Sequence, residues 1–173
     1  MRSKISTIAL VALLFVTNTS FIKHYAKGSY YIIVDKSDYE LNVYDDDGWL
    51  ITYPVVFGNN DLGDKLMEGD RRTPEGTFQI INKRVHEKWC RFMLINYPTK
   101  ESIQKFNQRK AAGIIPKSAK IGGAIGVHGT WPREDFAIDQ FQNWTLGCVS
   151  MKNEHVTQFY NLIPNGTKIT IRR

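Results

Sequence analysis

The sequence predicts a mostly β fold with two main helices, folded as a single domain after an N-terminal leader. Three observations support this. Short runs rich in β-branched and aromatic residues recur along the chain, separated by Asp-, Asn- and Gly-containing turns. Helix signals are confined to about residues 100–112 and 154–163. No internal repeat, low-complexity tract or linker divides the body. With 173 residues, 42% hydrophobic and 12% aromatic, the chain can bury a real core, which argues against disorder and against a second domain.

Residues 1–27 carry Arg2, Lys4, Lys23 and Lys27 and no acid. Arg2 and Lys4 precede an apolar run at 5–16, broken only by Ser6 and Thr7. That is the length of an export-signal core and falls short of the ~20 apolar residues of a spanning helix. Thr17-Asn18-Thr19-Ser20 follows without a clean small-x-small cleavage site, so residues 1–27 are expected to be a signal peptide or an N-terminal membrane anchor. The body, 28–173, is then expected outside the cytosolic membrane face, in the periplasm or cell envelope, with membrane contact only through the N-terminal segment. It has 19 basic against 17 acidic side chains, too even a balance for the phosphate-neutralising footprint of a nucleic-acid-binding protein.

Residues 29–34 (SYYIIV), 39–44 (YELNVY) and 49–57 read as an antiparallel meander, with Asp35–Asp38 and Asp45-Asp46-Asp47-Gly48 as its turns. The acidic triplet lacks the ligand spacing of a calcium loop and is expected to be a solvated hairpin tip. Residues 58–76 turn to Asp, Gly, Lys and Arg, a loop composition ending in GDRRTPEG. Strand patterns resume at 76–82 and 91–96 around a polar stretch containing His86. Thr99 is a candidate cap for a helix over 100–112, ended by Gly113 and Pro116. Residues 122–127 read as a strand delivering His128. Asn153 is expected to cap a helix over 154–163, whose Val156, Phe159, Tyr160 and Ile163 share one face, before a final strand at 167–172.

The chemistry centres on residues 125–151. His128 ends one apolar segment, and Cys148, flanked by Gly147 and Val149, begins another, so the two can meet as base and nucleophile. A thiol of pKa near ~8.5 is only a few per cent thiolate at neutral pH and needs such a partner. Gly129 offers a carbonyl to hold the His128 imidazole in one tautomer. The backbone N–H groups of Gly147 and Cys148 are candidates for an oxyanion hole, with the glycine admitting a substrate carbonyl. Cys90 reads as a small buried hydrophobe. His24, His86 and His155 read as surface histidines. No metal-ligand spacing is present, and neither a metal nor a cofactor is expected.

These residues resemble the L,D-transpeptidase catalytic domain, the YkuD-like family, over about residues 30–171. The similarity is carried in order by the opening meander, GDRRTPEGTF at 69–78, IGVHGT at 125–130, TLGCV at 145–149 and PNGTKI at 164–169. It implies a β-sandwich-like fold and a cysteine that attacks the L,D-peptide bond of a peptidoglycan stem peptide. The acyl group then passes to an amine of another stem or of an envelope lipoprotein, or to water. Carried over by position, Cys148 matches the nucleophile, His128 the base and later acid, and Gly129 the orienting carbonyl, with Gly147–Cys148 at the oxyanion hole. Leu146 and Ser150 depart from the family's usual histidine and arginine. The NWTLGC form at 143–148, with Asn96-Tyr97-Pro98, is similar to a branch that includes murein hydrolases.

The expected activity is therefore L,D-transpeptidation through a thioester. The alternatives are hydrolysis, as an L,D-carboxypeptidase or in release of peptidoglycan-attached lipoprotein, and a non-catalytic envelope-binding module with Cys148 oxidised to Cys90. Tyr97, Trp131, Trp144 and Thr145 are the candidate substrate-binding residues, flat aromatic rings suiting a peptide–sugar ligand.

Overall fold

The computed structural model describes residues 29–173, so the expected leader lies outside the described residues. Within these residues eight strands form one mixed sheet in the order β3-β2-β1-β8-β4-β5-β6-β7, with three helices. The opening meander is β1 (Tyr31–Asp35), β2 (Glu40–Asp45) and β3 (Gly48–Pro54), antiparallel throughout. Its alternation follows the sequence: Ile32, Val34, Leu41 and Val43 face inward and are fully buried.

The pivot of the sheet is β4 (Gly76–His86). Its first residues pair antiparallel with the closing strand β8 (Lys168–Arg172), and its later ones with β5 (Cys90–Ile95). The register shifts between Ile80 and Asn82, where Ile81 is the extra residue and is turned out to solvent. Such a bulge bends a strand and increases its twist, which lets β4 serve both halves of the sheet. β4 runs four residues beyond the expected end because Lys83, Arg84 and Val85 continue the ladder as a hairpin arm.

β5 pairs with β6 (Gly126–His128), and β6 runs parallel to β7 (Val149–Ser150). The sheet then closes on itself. Just after β3, Val56 donates to the Ser150 carbonyl at 2.9 Å and Ser150 donates back to the Val56 carbonyl at 2.8 Å, joining the two outer margins. Closure of one curled sheet around a shared core gives the sandwich-like form.

α1 (Lys100–Ala111) starts where the sequence places it, with Thr99 Oγ1 accepting from Ser102 N–H at 3.2 Å. α3 (Asn153–Leu162) buries Val156 and Phe159 in the core, with Ile163 just beyond its end. Its cap differs from expectation, since Asn153 is inside the helix and its side-chain amide donates to Thr130 Oγ1. The carboxylate of Asp135 instead accepts the Asn153 N–H at 3.0 Å, supplied from the residue before the short α2 (Phe136–Asp139). Among the described residues no helix is long and apolar enough to cross a membrane.

Candidate active site

The parallel pairing of β6 and β7 sets the geometry. Val127 lies beside Val149 and His128 beside Ser150, so Cys148 enters one step earlier, next to Gly126. The stretch between the two strands folds back over the sheet end, and its last residues are tied to distant loops. Asn143 Oδ1 accepts Phe57 N–H at 2.6 Å, while Trp144 N–H and Thr145 N–H share the Phe57 carbonyl. From the loop at 58–75, Arg71 reaches across to the Thr145 and Trp144 carbonyls at 3.2 and 3.3 Å.

That loop is itself held by buried charge. The Asp70 carboxylate accepts the Lys65 ammonium and the backbone N–H groups of Leu66, Met67 and Arg72. These contacts hold the carboxyl below the usual range against its own burial. Buried Lys36 meets Glu75 at 2.8 Å and the Gly63 and Thr73 carbonyls.

Cys148 is half-buried at the floor of a largely apolar cleft of about 440 Å³, whose walls include His128, Trp89, Trp131, Trp144 and Leu146. Its thiol donates to the Ala124 carbonyl at 3.7 Å. Burial pushes the thiol up to about 11, partly offset by a backbone hydrogen bond from Gly126 and by the Lys65 charge. His128 is buried, with Nδ1 at 2.7 Å from the Gly129 carbonyl. Its ring stacks on Trp89 at 4.7 Å and meets the edge of Trp144 at 5.4 Å. Burial depresses the imidazole to about 4, partly offset by the Gly129 hydrogen bond and reinforced by repulsion from His86. At neutral pH both groups, which line the same cleft, are uncharged.

The other expected positions sort by geometry. Thr145 and the two tryptophans line the cleft, but the Thr145 hydroxyl faces the backbone, donating to the Cys148 carbonyl at 2.8 Å and accepting Gly147 N–H at 3.1 Å. Gly147 N–H is thus already engaged, and the Cys148 N–H is the one without a protein acceptor among the described residues. Gly147 meets a conformational requirement of its own: its φ is +124°, and a Cβ there would stand 2.8 Å from the Arg72 carbonyl.

Tyr97 is a correction. It is 8% exposed, its ring packs edge-on to Phe78, and its hydroxyl donates to the Ile121 carbonyl, so it belongs to the core beside α1 and not to the cleft. Cys90 is half-buried rather than enclosed, its sulfur 3.4 Å from Thr157 Oγ1, and both thiols are free. His86 and His155 are not free surface groups either; they stack on Trp89 at 4.4 Å and pack on Tyr53 at 5.4 Å.

Reading the sequence overlooked Trp89, Phe92 and Arg84 as cleft residues, and Arg71 as a support of the thiol loop. The strand pattern at 91–96 was the available signal for Phe92, since alternate residues of a strand beside His128 must face it. Ser150, one of the two departures, is fully buried and donates to the same Gly129 carbonyl at 3.3 Å. Leu146, the other, stands 78% exposed at the lip. Among the described residues no three His, Cys, Asp or Glu side chains converge as a metal site.

The family model for the YkuD L,D-transpeptidase catalytic domain matches residues 29–171. Among curated proteins no sequence match is found. Solved structures share the fold. The helical cell shape determining protein Pgp2 from Campylobacter jejuni is 22% identical with a TM-score of 0.63, over 84% of this chain and 48% of that one. Bd1075 from Bdellovibrio bacteriovorus is 22% identical with a TM-score of 0.58, over 84% and 48%. An L,D-transpeptidase from Stackebrandtia nassauensis is 16% identical with a TM-score of 0.55, over 90% and 62%. The chain therefore spans about half the length of the first two of these structures.

Proposed function

Because this chain belongs to the YkuD L,D-transpeptidase catalytic domain family, whose members act on peptidoglycan peptides, we propose that it is a cell-envelope cysteine acyltransferase acting on stem peptides. The observation that carries this reading is a shared cleft. Cys148 and His128 line one apolar cavity, with His128 Nδ1 pinned to the Gly129 carbonyl and its other nitrogen left for proton transfer.

In the proposed first step, the Cys148 sulfur attacks the carbonyl carbon of the L,D-peptide bond as its proton moves to His128. The developing oxyanion takes the Cys148 N–H. When the C–N bond breaks, His128 returns the proton to the departing amine, leaving a thioester. An incoming amine, from a second stem or an envelope lipoprotein, gives up a proton to His128 and displaces the thiolate, which is reprotonated. With water in place of the amine, the same steps give hydrolysis.

The apolar walls favour transfer by limiting water, whereas the NWTLGC form of the thiol loop leaves the hydrolytic reading open. Mass analysis of muropeptide digests, with and without an amine acceptor, separates the two. Export and anchoring through residues 1–27 complete the proposal.

A neutral resting pair has its own signature. Alkylation of Cys148 by iodoacetamide should rise steadily from pH 6 to 10, be lost in Cys148→Ser and be slowed in His128→Ala. A plateau reached below pH 7 would mean a preformed thiolate and would sink this version of the mechanism, and equal rates in native protein and His128→Ala would sink the assignment of the base.

A further inference from the structure

Next to the thiol cleft lies a second, shallower cavity of about 540 Å³, formed by the arm where β4 turns into β5. The two share Arg84, Trp89 and Trp131 as walls, so they adjoin along those three side chains. The outer cavity adds Val85, His86, Lys88 and Glu87, the last its one carboxylate.

The cations here are held over rings and not by acids. The Arg84 guanidinium lies 5.2 Å from the Phe92 ring centre and the Lys88 ammonium 5.4 Å from that of Trp131. Among the described residues neither forms an ion pair. The hairpin's remaining cations are occupied: Lys83 donates to the Tyr160 and Ile163 carbonyls, and Arg91 to the Cys90 carbonyl. Arg84 and Lys88 thus stand together on the cleft side of the arm with ring faces and no acid as partners. At the shared wall, the Trp89 indole nitrogen is buried and has no acceptor.

From these contacts we infer that the arm forms a subsite for a carboxylate-bearing peptide strand running outward from Cys148. Arg84 and Lys88 bind its carboxylate, and Trp131 supports its body. Charge-assisted bonds to a carboxylate are the stronger class, and guanidinium in particular takes one in bidentate fashion. A flat ring beside them suits the peptide's apolar stem. A broad polyanion surface is disfavoured by the near balance of acids and bases across the body.

This subsite rests on the proposed reaction at Cys148, and the test keeps the two apart. Full-length Cys148→Ser protein is titrated with a synthetic stem tetrapeptide carrying free carboxylates, and with the same peptide amidated at those groups. The free acid is expected to bind about tenfold more tightly at low salt, and the preference to fall below about twofold in R84Q/K88Q, since tenfold is the scale of one charge-assisted bond. The charge-reversed R84E/K88E pair should favour the amidated peptide. Arg84 and Lys88 are exposed, so neither pair removes core packing. Equal binding of both peptides, or a preference unchanged in R84Q/K88Q, overturns the subsite. Alkylation of Cys148 is measured alongside in native protein and His128→Ala. His128-dependent alkylation with equal peptide binding removes the subsite alone; His128-independent alkylation with a preserved carboxylate preference removes the catalytic reading alone.

Discussion

His128 and Ser150 converge on one carbonyl, that of Gly129, and each makes a measurable demand on it. Replacing Ser150 with Ala removes the hydroxyl donor and leaves the carbonyl with the imidazole alone. We expect a stability loss of about 1 kcal/mol together with a fall in kcat that exceeds any change in KM, measured by urea unfolding and peptide turnover. His128 also ties stability to acid. Its folded pKa of about 4 lies below that of a free imidazole, so the unfolded chain binds the extra proton and stability falls as pH drops from about 6.5 through 4. The loss at the bottom of that window is on the order of 3 kcal/mol, and His128→Gln should flatten that part of the pH–stability curve. Of the pair's surroundings, Gly129 was readable from its place after His128. Tyr97 was not, because an aromatic residue in a polar context gives no hint of which way its ring turns.

Elements were legible where their signals are local. The start of α1 is legible because its cap, Thr99, is the helix's neighbour in the chain, and the meander follows from alternation and two Asp-rich turns. The cap of α3 escaped because Asp135 arrives from eighteen positions away, and β7 and α2 are too short for any periodicity to register. That remote carboxylate does two things at once, since Asp135 also accepts the Thr130 hydroxyl just beyond His128-Gly129. Asp135→Ala should cost roughly 1–2 kcal/mol in urea unfolding and slow Cys148 alkylation, whereas Asp135→Asn, which keeps an acceptor, should retain most of both. Equal losses in the two variants would mean that charge, and not the hydrogen bonds, holds the junction.

At the scale of the whole molecule, the strand order could not be read in advance. β1 and β8 pair in parallel from opposite ends of the described chain, and no local signal marks residues so far apart as partners. What made the general form accessible was resemblance carried by scattered motifs, which pattern reading alone does not supply. The curled sheet depends on its seam. Amide exchange at Val56 and Ser150 should be as slow as in the central strands, and Val56→Pro, which deletes one seam donor, should destabilise by roughly 1–3 kcal/mol and speed exchange at Ser150.

The seam also bears on how copies of the protein behave when crowded together. An unpaired margin of a β-sheet is a template on which a stranger's strand can grow a fibre. Here Val56 occupies both backbone groups of Ser150 on one margin, and Pro54 interrupts the row of donors on the other. Opening that join, with the core still folded, would bare a margin able to seed aggregation.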